Sequence, residues 1–143
     1  MGKVRDILKM KGSEVFTVGP EVSVYQGIEL MCEKNIGGLL ITENGQPVGI
    51  FTERDYARKV VLKGKSSRTT LLGEIMTSKL ITVSSDHTVE ACMEVMTDKK
   101  IRHLPIVDDG QITGLISIGD VVRFVINEQK DIIDQLEHYI TGH

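Results

Sequence analysis

The stretch VGIFTERDYARKVV, residues 48–61, has the pattern of a buried strand followed by a threonine, three charged residues and a helix. Sixty-five residues later the chain has TGLISIGDVVRFVI, residues 113–126, with a similar order of features. In each stretch aspartate follows a hydroxyl residue by three places, as Thr52 with Asp55 and Ser117 with Asp120. This spacing predicts either one type of helix cap used twice or a pair of equivalent binding sites.

The two stretches end a longer internal repeat, because residues 15–61 align with residues 80–126 without a gap. Fifteen of the 47 aligned positions are identical, and many others exchange one aliphatic residue for another. Each copy has the pattern β-α-β-β-α, with Asn-Gly or Asp-Gly at a predicted type I′ turn between its last two strands. Ser23 and Thr88 occupy the N-cap position before the first helix of each copy. One copy alone would bury little core, so we expect the two to pack face to face about a pseudo-twofold axis, with two equivalent clefts between them.

The predicted architecture is an α/β (α+β) fold in one compact module. Its β runs open the copies at residues 15–18 and 80–83, and its second helices run from 53 to about 62 and from 118 to about 127. We assign residues 1–62 to the first repeat, 63–73 to a polar linker, 74–127 to the second repeat and 128–143 to a C-terminal helix. That last helix carries one apolar stripe, formed by Ile132, Ile133, Leu136, Tyr139 and Ile140. Such an apolar stripe usually packs against another surface, either on the module itself or on a second copy of the chain. We expect the second copy, and therefore a homodimer.

Composition excludes several functional classes. The chain of 143 residues has a net charge of −3 and no basic surplus, which argues against a nucleic-acid partner. It contains no apolar run long enough for a membrane span and no apolar core of a signal peptide, so a soluble cytoplasmic protein is expected. Cys32 and Cys92 have no metal-type spacing, and both are predicted to be buried free thiols. Phosphate-loop, dinucleotide and nucleophile motifs are absent from the sequence, which predicts neither an enzyme nor a metal site.

Four motifs carry a resemblance to a known family: EIMTSKLITV at 74–83, IRHLPIVDDGQITGLISIGDVV at 101–122, NIGGLLI at 35–41 and GIFTERD at 49–55. Together with the tandem arrangement, they resemble the CBS domain pair, or Bateman module, over residues 4–126. The resemblance implies a disc-like pair that regulates a partner protein and binds AMP, ADP, ATP or NAD in its clefts without catalysis. A structural or dimerising adaptor with empty clefts is the alternative, and an enzyme is the third possibility.

The resemblance also implies two candidate ligand sites, in which the Ser/Thr and Asp of each motif hold the ribose. The first combines Thr52 and Asp55 with residues 16–18, including Val18, and with residues 36–39, including Gly38. The second combines Ser117 and Asp120 with residues 81–83, including Val83, and with residues 101–105, including Pro105. By the same resemblance, Arg54, Arg102 and His103 converge on the phosphates of the nucleotide.

The chemistry of these residues leaves two interpretations open. An ionised aspartate accepts hydrogen bonds on both oxygens, which suits the two adjacent hydroxyls of a ribose. The same Ser/Thr-x-x-Asp spacing also forms a capping box, in which each side chain bonds the other residue's backbone N–H. Arginine grips phosphate through a planar fork, although Arg54 and Arg102 can equally be exposed charges and His103 a neutral strand residue. Gly37 and Gly38 stand where the second copy has Arg102 and His103, so unequal clefts are predicted.

Overall fold

The computed structural model describes residues 2–141 and has the mixed helices and strands predicted for an α/β (α+β) fold. The first half contains α1 (Val4–Lys11), β1 (Thr17–Val18), α2 (Val24–Lys34), β2 (Gly38–Glu43), β3 (Gln46–Thr52) and α3 (Glu53–Asp55), which continues as a π-helical turn (Tyr56–Val61). The second half contains α4 (Leu72–Ile75), α5 (Val89–Lys99), β4 (His103–Asp108), β5 (Gln111–Ser117) and α6 (Ile118–Thr141). Each copy therefore contributes one hairpin between two helical segments.

The two hairpins are confirmed. Strands β2 and β3 pair antiparallel, as do β4 and β5, and each pair has one register shift at the equivalent position. Both residues of each turn have positive φ: 53° and 77° at Asn44 and Gly45, and 50° and 76° at Asp109 and Gly110. These are the dihedrals that a type I′ turn requires, and they match the right-handed twist of the flanking strands.

The first strand of each copy is shorter than predicted. In the first copy only β1 remains, pairing in parallel with β2. In the second copy the strand is reduced to one parallel bridge between Val83 and Ile106. The preceding residues, among them Phe16 and Ile81, line the clefts described below, so only the end of each run reaches its hairpin.

The short helices α1 and α4 each pack on the copy that does not follow them in sequence. Val4 and Ile7 of α1 are buried in the core of the second copy, and Leu72 and Ile75 of α4 in the core of the first. The backbone contacts are reciprocal, with bridges between Lys3 and Thr88 and between Ser23 and Leu71. This exchange is the pseudo-twofold relation expected from the repeat, and it joins two small cores into one module.

Two features differ from the predicted helix and linker bounds. Helix α6 runs without a break from Ile118 to Thr141, whereas the sequence predicts separate helices on either side of residue 127. No Gly or Pro lies between residues 120 and 141 to stop it. The predicted helix at 128–143 is thus the second half of α6, with residues 142 and 143 outside the described residues. The predicted linker at 63–73 ends inside the module, because Thr70 is 6% exposed and Leu72 is fully buried.

One of the two thiol predictions is wrong. Cys92 is buried, and burial raises the pKa of its thiol. Cys32 is exposed because it lies at the edge of the apolar face of α2, one residue beyond the buried Met31. Among the described residues, no helix combines the length and the apolar composition needed to cross a membrane.

Candidate functional site

The two copies enclose a pair of clefts where their hairpins meet. Cleft A, of about 210 Å³, lies between residues 52–55 of the first copy and residues 101–105 of the second. Cleft B, of about 300 Å³, lies between residues 35–38 of the first copy and residues 115–120 of the second. Ligand pockets usually have volumes of about 300–1,000 Å³, so cleft B is at the lower end of that range and cleft A is below it.

Each motif faces walls that belong to the opposite copy. Thr52 and Asp55 lie in cleft A with Ile81 and Pro105, while Ser117 and Asp120 lie in cleft B with Phe16 and Gly38. The sequence-based grouping, which combines each motif with the first strand of its own copy, is therefore wrong. Face-to-face packing causes the exchange, because the end of β3 is turned toward the second copy and the end of β5 toward the first.

Most of the predicted site residues lie in one cleft or the other. Cleft A collects Thr52, Arg54, Asp55, Arg102, His103 and Pro105, and cleft B collects Gly38, His103, Ser117 and Asp120. Val18 and Val83 line neither, because Val83 is buried in the second core and Val18 packs against the first. Arg54, Arg102 and His103 all line cleft A, and their convergence on the phosphates of a nucleotide remains a prediction.

The carboxylate of Asp55 accepts three hydrogen bonds and forms one ion pair. Its Oδ2 accepts from the Thr52 backbone N–H at 3.0 Å and from Thr52 Oγ1 at 3.2 Å, while the Asp55 N–H donates to Thr52 Oγ1 at 3.3 Å. Its Oδ1 accepts from Thr77 Oγ1 at 3.1 Å and forms an ion pair with Lys59, whose Nζ lies 3.1 Å away. A carboxylate offers about four lone-pair positions, so a ribose hydroxyl at Asp55 competes with Lys59 for the last of them.

The carboxylate of Asp120 is in an equivalent capping box. Its Oδ2 accepts from the Ser117 N–H at 2.8 Å and from Lys11 Nζ at 2.7 Å, and its Oδ1 from Arg123 Nη2 at 3.0 Å. The Ser117 hydroxyl also bonds this carboxylate, so a ligand at Asp120 competes with donors already in place, as it does at Asp55. Burial acts to raise the pKa of Asp120, but the hydrogen bonds from Lys11 and Ser117 outweigh it and lower the pKa overall.

His103 stands between the two clefts and lines both. Its ring packs over Gly38, the equivalent residue of the first copy, where an added Cβ would lie 3.1 Å from His103 Cδ2. Burial lowers the pKa of the imidazole, and nearby Lys11 and Arg102 lower it further against the opposing effect of Asp120 and Asp55. The neutral imidazole is therefore favoured near pH 7.

Several basic residues that line the clefts were not predicted from the sequence. Lys79 and Lys100 line cleft A, and Lys11 and Arg123 line cleft B. Arg54 reaches across cleft A and donates from Nη1 to the Lys100 carbonyl oxygen at 2.8 Å. The one signal in the sequence was that Lys11 and Lys79 occupy equivalent positions in the two lead-in segments, seven residues after Val4 and Leu72. Within residues 2–141, no group of three His, Cys, Asp or Glu side chains is placed to hold a metal ion.

Comparison with known proteins gives a consistent family. The CBS domain family model matches residues 4–62 and 72–127. A curated relative, the mitochondrial CBS domain-containing protein CBSX3 of Arabidopsis thaliana, is 38% identical over 97% of this chain and 72% of its own length. A protein with CBS domains from Burkholderia ambifaria, whose structure is solved, is 47% identical, with a TM-score of 0.85 over 89% of this chain and 96% of the other.

A further solved structure carries ligands. It is the CBS domain pair of protein MJ0100 in complex with 5′-methylthioadenosine and S-adenosylmethionine, which is similar to this chain at 28% identity. Its TM-score is 0.80, over 90% of this chain and 98% of that one. Both of its ligands contain adenosine.

Proposed function

This chain belongs to the CBS domain family as a tandem pair of CBS domains, and on that premise we propose that it is a non-catalytic regulatory module. It binds an adenine nucleotide of the AMP, ADP, ATP or NAD type between its two copies and signals the occupancy to a partner protein. The observation that carries this proposal is the composition of the clefts. In each, a buried aspartate from one copy faces an apolar wall from the other, so a ligand there contacts both copies at once.

A ligand that contacts both copies can act as a signal. It stabilises the arrangement of the copies that fits it best, by its difference in affinity for the available arrangements. His103 and Gly38, which touch across the interface, would transmit any small rotation of one copy against the other. The structure of MJ0100 with two adenosine-containing ligands supports the ligand class. A cytoplasmic location stays part of the proposal, to be checked by cell fractionation.

A thermal-shift panel tests the ligand class directly. Nucleotide-free protein is heated with AMP, ADP, ATP, NAD, NADH or S-adenosylmethionine. A ligand present at 100 times its Kd adds about 2.7 kcal/mol to the free energy of unfolding. For a chain of this size that raises the Tm by roughly 5–10 °C. If no compound in the panel raises the Tm, the nucleotide-sensing function is wrong, whereas turnover of any of them would indicate an enzyme.

A homodimer is the second part of the proposal, and the exposed half of α6 supports it. Residues 128–141, here named the α6 arm, extend for roughly 21 Å at 1.5 Å per residue. The apolar stripe of the arm remains uncovered: Ile132, Ile133, Leu136, Tyr139 and Ile140 are between 52% and 87% exposed. The sequence left two surfaces that could cover the stripe, the module itself and a second copy. The module does not cover it in this structure.

A second copy provides an identical stripe on an identical arm. Two arms packed antiparallel form a closed, self-complementary contact, which is the usual geometry of a twofold dimer. The charged side chains of the arm lie off the stripe, so they stay in water after pairing. The same stripe makes a purely dimerising adaptor the second candidate function, which the thermal-shift panel separates from the first.

A further inference from the structure

We propose that the two clefts take ligands of different charge: cleft A a phosphate-bearing nucleotide, and cleft B an uncharged ribonucleoside. The inference rests on the proposed function, since both ligands are adenosine compounds. It goes beyond that function in assigning a ligand class to each cleft, and it follows from the charges and the apolar side chains that line them.

Cleft A has a surplus of positive charge. Four basic side chains line it, from Arg54, Lys79, Lys100 and Arg102, against the acidic side chains of Glu53 and Asp55. Asp55 is also paired with Lys59, so it does not neutralise the basic residues of the rim. A surplus of two positive charges at the mouth of a cleft attracts anions and strengthens each contact with phosphate.

The basic residues of cleft A come from both copies, which places them around the cleft rather than on one side. Arg54 belongs to the first copy, and Lys79, Lys100 and Arg102 to the region of the second. Arg54 already spans the cleft to the carbonyl of Lys100. A phosphate oxygen is a stronger acceptor for a guanidinium than a neutral carbonyl, so a nucleotide can replace this bond with a charge-assisted one.

Cleft B has no such surplus. It is lined by two basic residues, Lys11 and Arg123, and two acidic residues, Glu14 and Asp120. Both basic residues already bond Asp120, at 2.7 and 3.0 Å. A phosphate in this cleft would have to draw these residues away from the carboxylate of Asp120, which is buried, and leaving a buried charge without its partners is costly.

What cleft B does offer suits a nucleoside without phosphate. Phe16 lines cleft B and provides an aromatic surface for a base, beside the apolar side chains of Ile36 and Leu115. Of the described residues that line cleft A, none is Phe, Tyr or Trp, and its one ring is that of His103, which lines both clefts.

Calorimetric titrations with ADP and adenosine test the assignment, because the two compounds differ only in phosphate. The cleft A variant is Lys79→Gln with Arg102→Gln, and the cleft B variant is Phe16→Leu. A matched control, Lys65→Gln with Lys130→Gln, removes two exposed charges that line neither cleft A nor cleft B. The Tm of each variant is measured first, so that affinities are compared only between folded proteins.

We expect a crossed pattern of affinities. In the cleft A variant the affinity for ADP falls on the order of tenfold or more, because charge-assisted hydrogen bonds are lost. Its affinity for adenosine changes less than about twofold. Phe16→Leu lowers the affinity for adenosine and changes the affinity for ADP less than about twofold. The control variant changes neither affinity. In the wild-type protein, added salt lowers the affinity for ADP much more than the affinity for adenosine, because salt screens charges.

Two results would overturn the inference, and they are distinguishable. If both compounds bind but the cleft A variant affects them equally, the assignment by charge is wrong while the proposed function stands. If neither compound nor any other member of the panel binds, the proposed function fails and this inference fails with it.

Discussion

At the scale of single residues, the two aspartates have the same motif and different surroundings. Both complete a capping box, as one of the two interpretations of the sequence predicts. Asp55 is held by Lys59 from its own helix and by Thr77, whereas Asp120 is held by Lys11 and Arg123. At both residues a ligand therefore competes with donors that already hold the carboxylate, and these donors differ between the two copies.

The first prediction concerns Asp120→Asn. This change leaves Lys11 and Arg123 without their charged partner, so the free energy of unfolding at pH 7 falls by about 1–3 kcal/mol. The affinity for adenosine falls as well, because the amide accepts through one oxygen only. Urea unfolding and calorimetry measure the two effects, with the exposed Asp98→Asn on α5 as the control. Lost stability with unchanged affinity would mean that Asp120 is only a cap.

The same residue gives a pH dependence with a definite sign. The pKa of Asp120 is lowered in the folded protein, so its contribution to stability is present above the unfolded value of about 3.9. That contribution is lost as the pH falls through the folded-state pKa. The stability difference between wild type and Asp120→Asn should therefore shrink in acid. A difference that grows as the pH falls would contradict the lowered pKa.

At the scale of elements, local chemistry made most of the fold predictable. The hairpins follow from Asn-Gly and Asp-Gly flanked by apolar runs, and their turns have the positive φ angles that these residues tolerate. The N-caps are equally local: Ser23 and Thr88 each accept a backbone N–H at 3.1 Å. Helix α6 was predicted in two pieces because the apolar pattern changes at residue 127, yet no helix-breaking residue follows.

The α6 arm gives a prediction about assembly. Replacing Ile133 and Leu136 with aspartate places charges in the stripe, so two arms can no longer pair and the protein becomes monomeric. Asp131→Asn with Asp134→Asn, on the same arm but off the stripe, keeps the dimer. Light scattering after size-exclusion chromatography measures the mass of each variant. A wild-type protein that is already monomeric at micromolar concentration would show that the stripe is not a self-association surface.

At the scale of the whole molecule, the repeat predicted two copies in contact but not which parts they exchange. Because the copies are so similar in pattern, hydrophobic spacing cannot tell whether α1 packs on the first copy or the second. For the same reason, each motif was predicted to share a cleft with the first strand of its own copy, which is wrong. Lys79 and Lys100 were missed for a related reason, since only the tertiary fold brings them to the motif of the first copy.

The exchange of the short helices predicts a specific loss of stability. Leu72 precedes the second copy in sequence but is fully buried in the core of the first. Leu72→Ala should lower the free energy of unfolding by about 2–5 kcal/mol, the usual cost of an apolar cavity. Its neighbour Leu71 is 41% exposed, and Leu71→Ala should cost less than about 1 kcal/mol. Equal losses in the two variants, measured by urea unfolding, would contradict the packing of α4 on the first copy.

The central claim is that an adenosine ligand lies between the two copies, and a crystal structure of the ADP complex tests it most directly. We predict ADP in cleft A, with phosphate oxygens within roughly 2.7–3.0 Å of Arg54 or Arg102 and its nucleoside against the wall of the second copy. ADP bound on one copy alone, for example in the groove beside Cys32 and Tyr56, would contradict the claim.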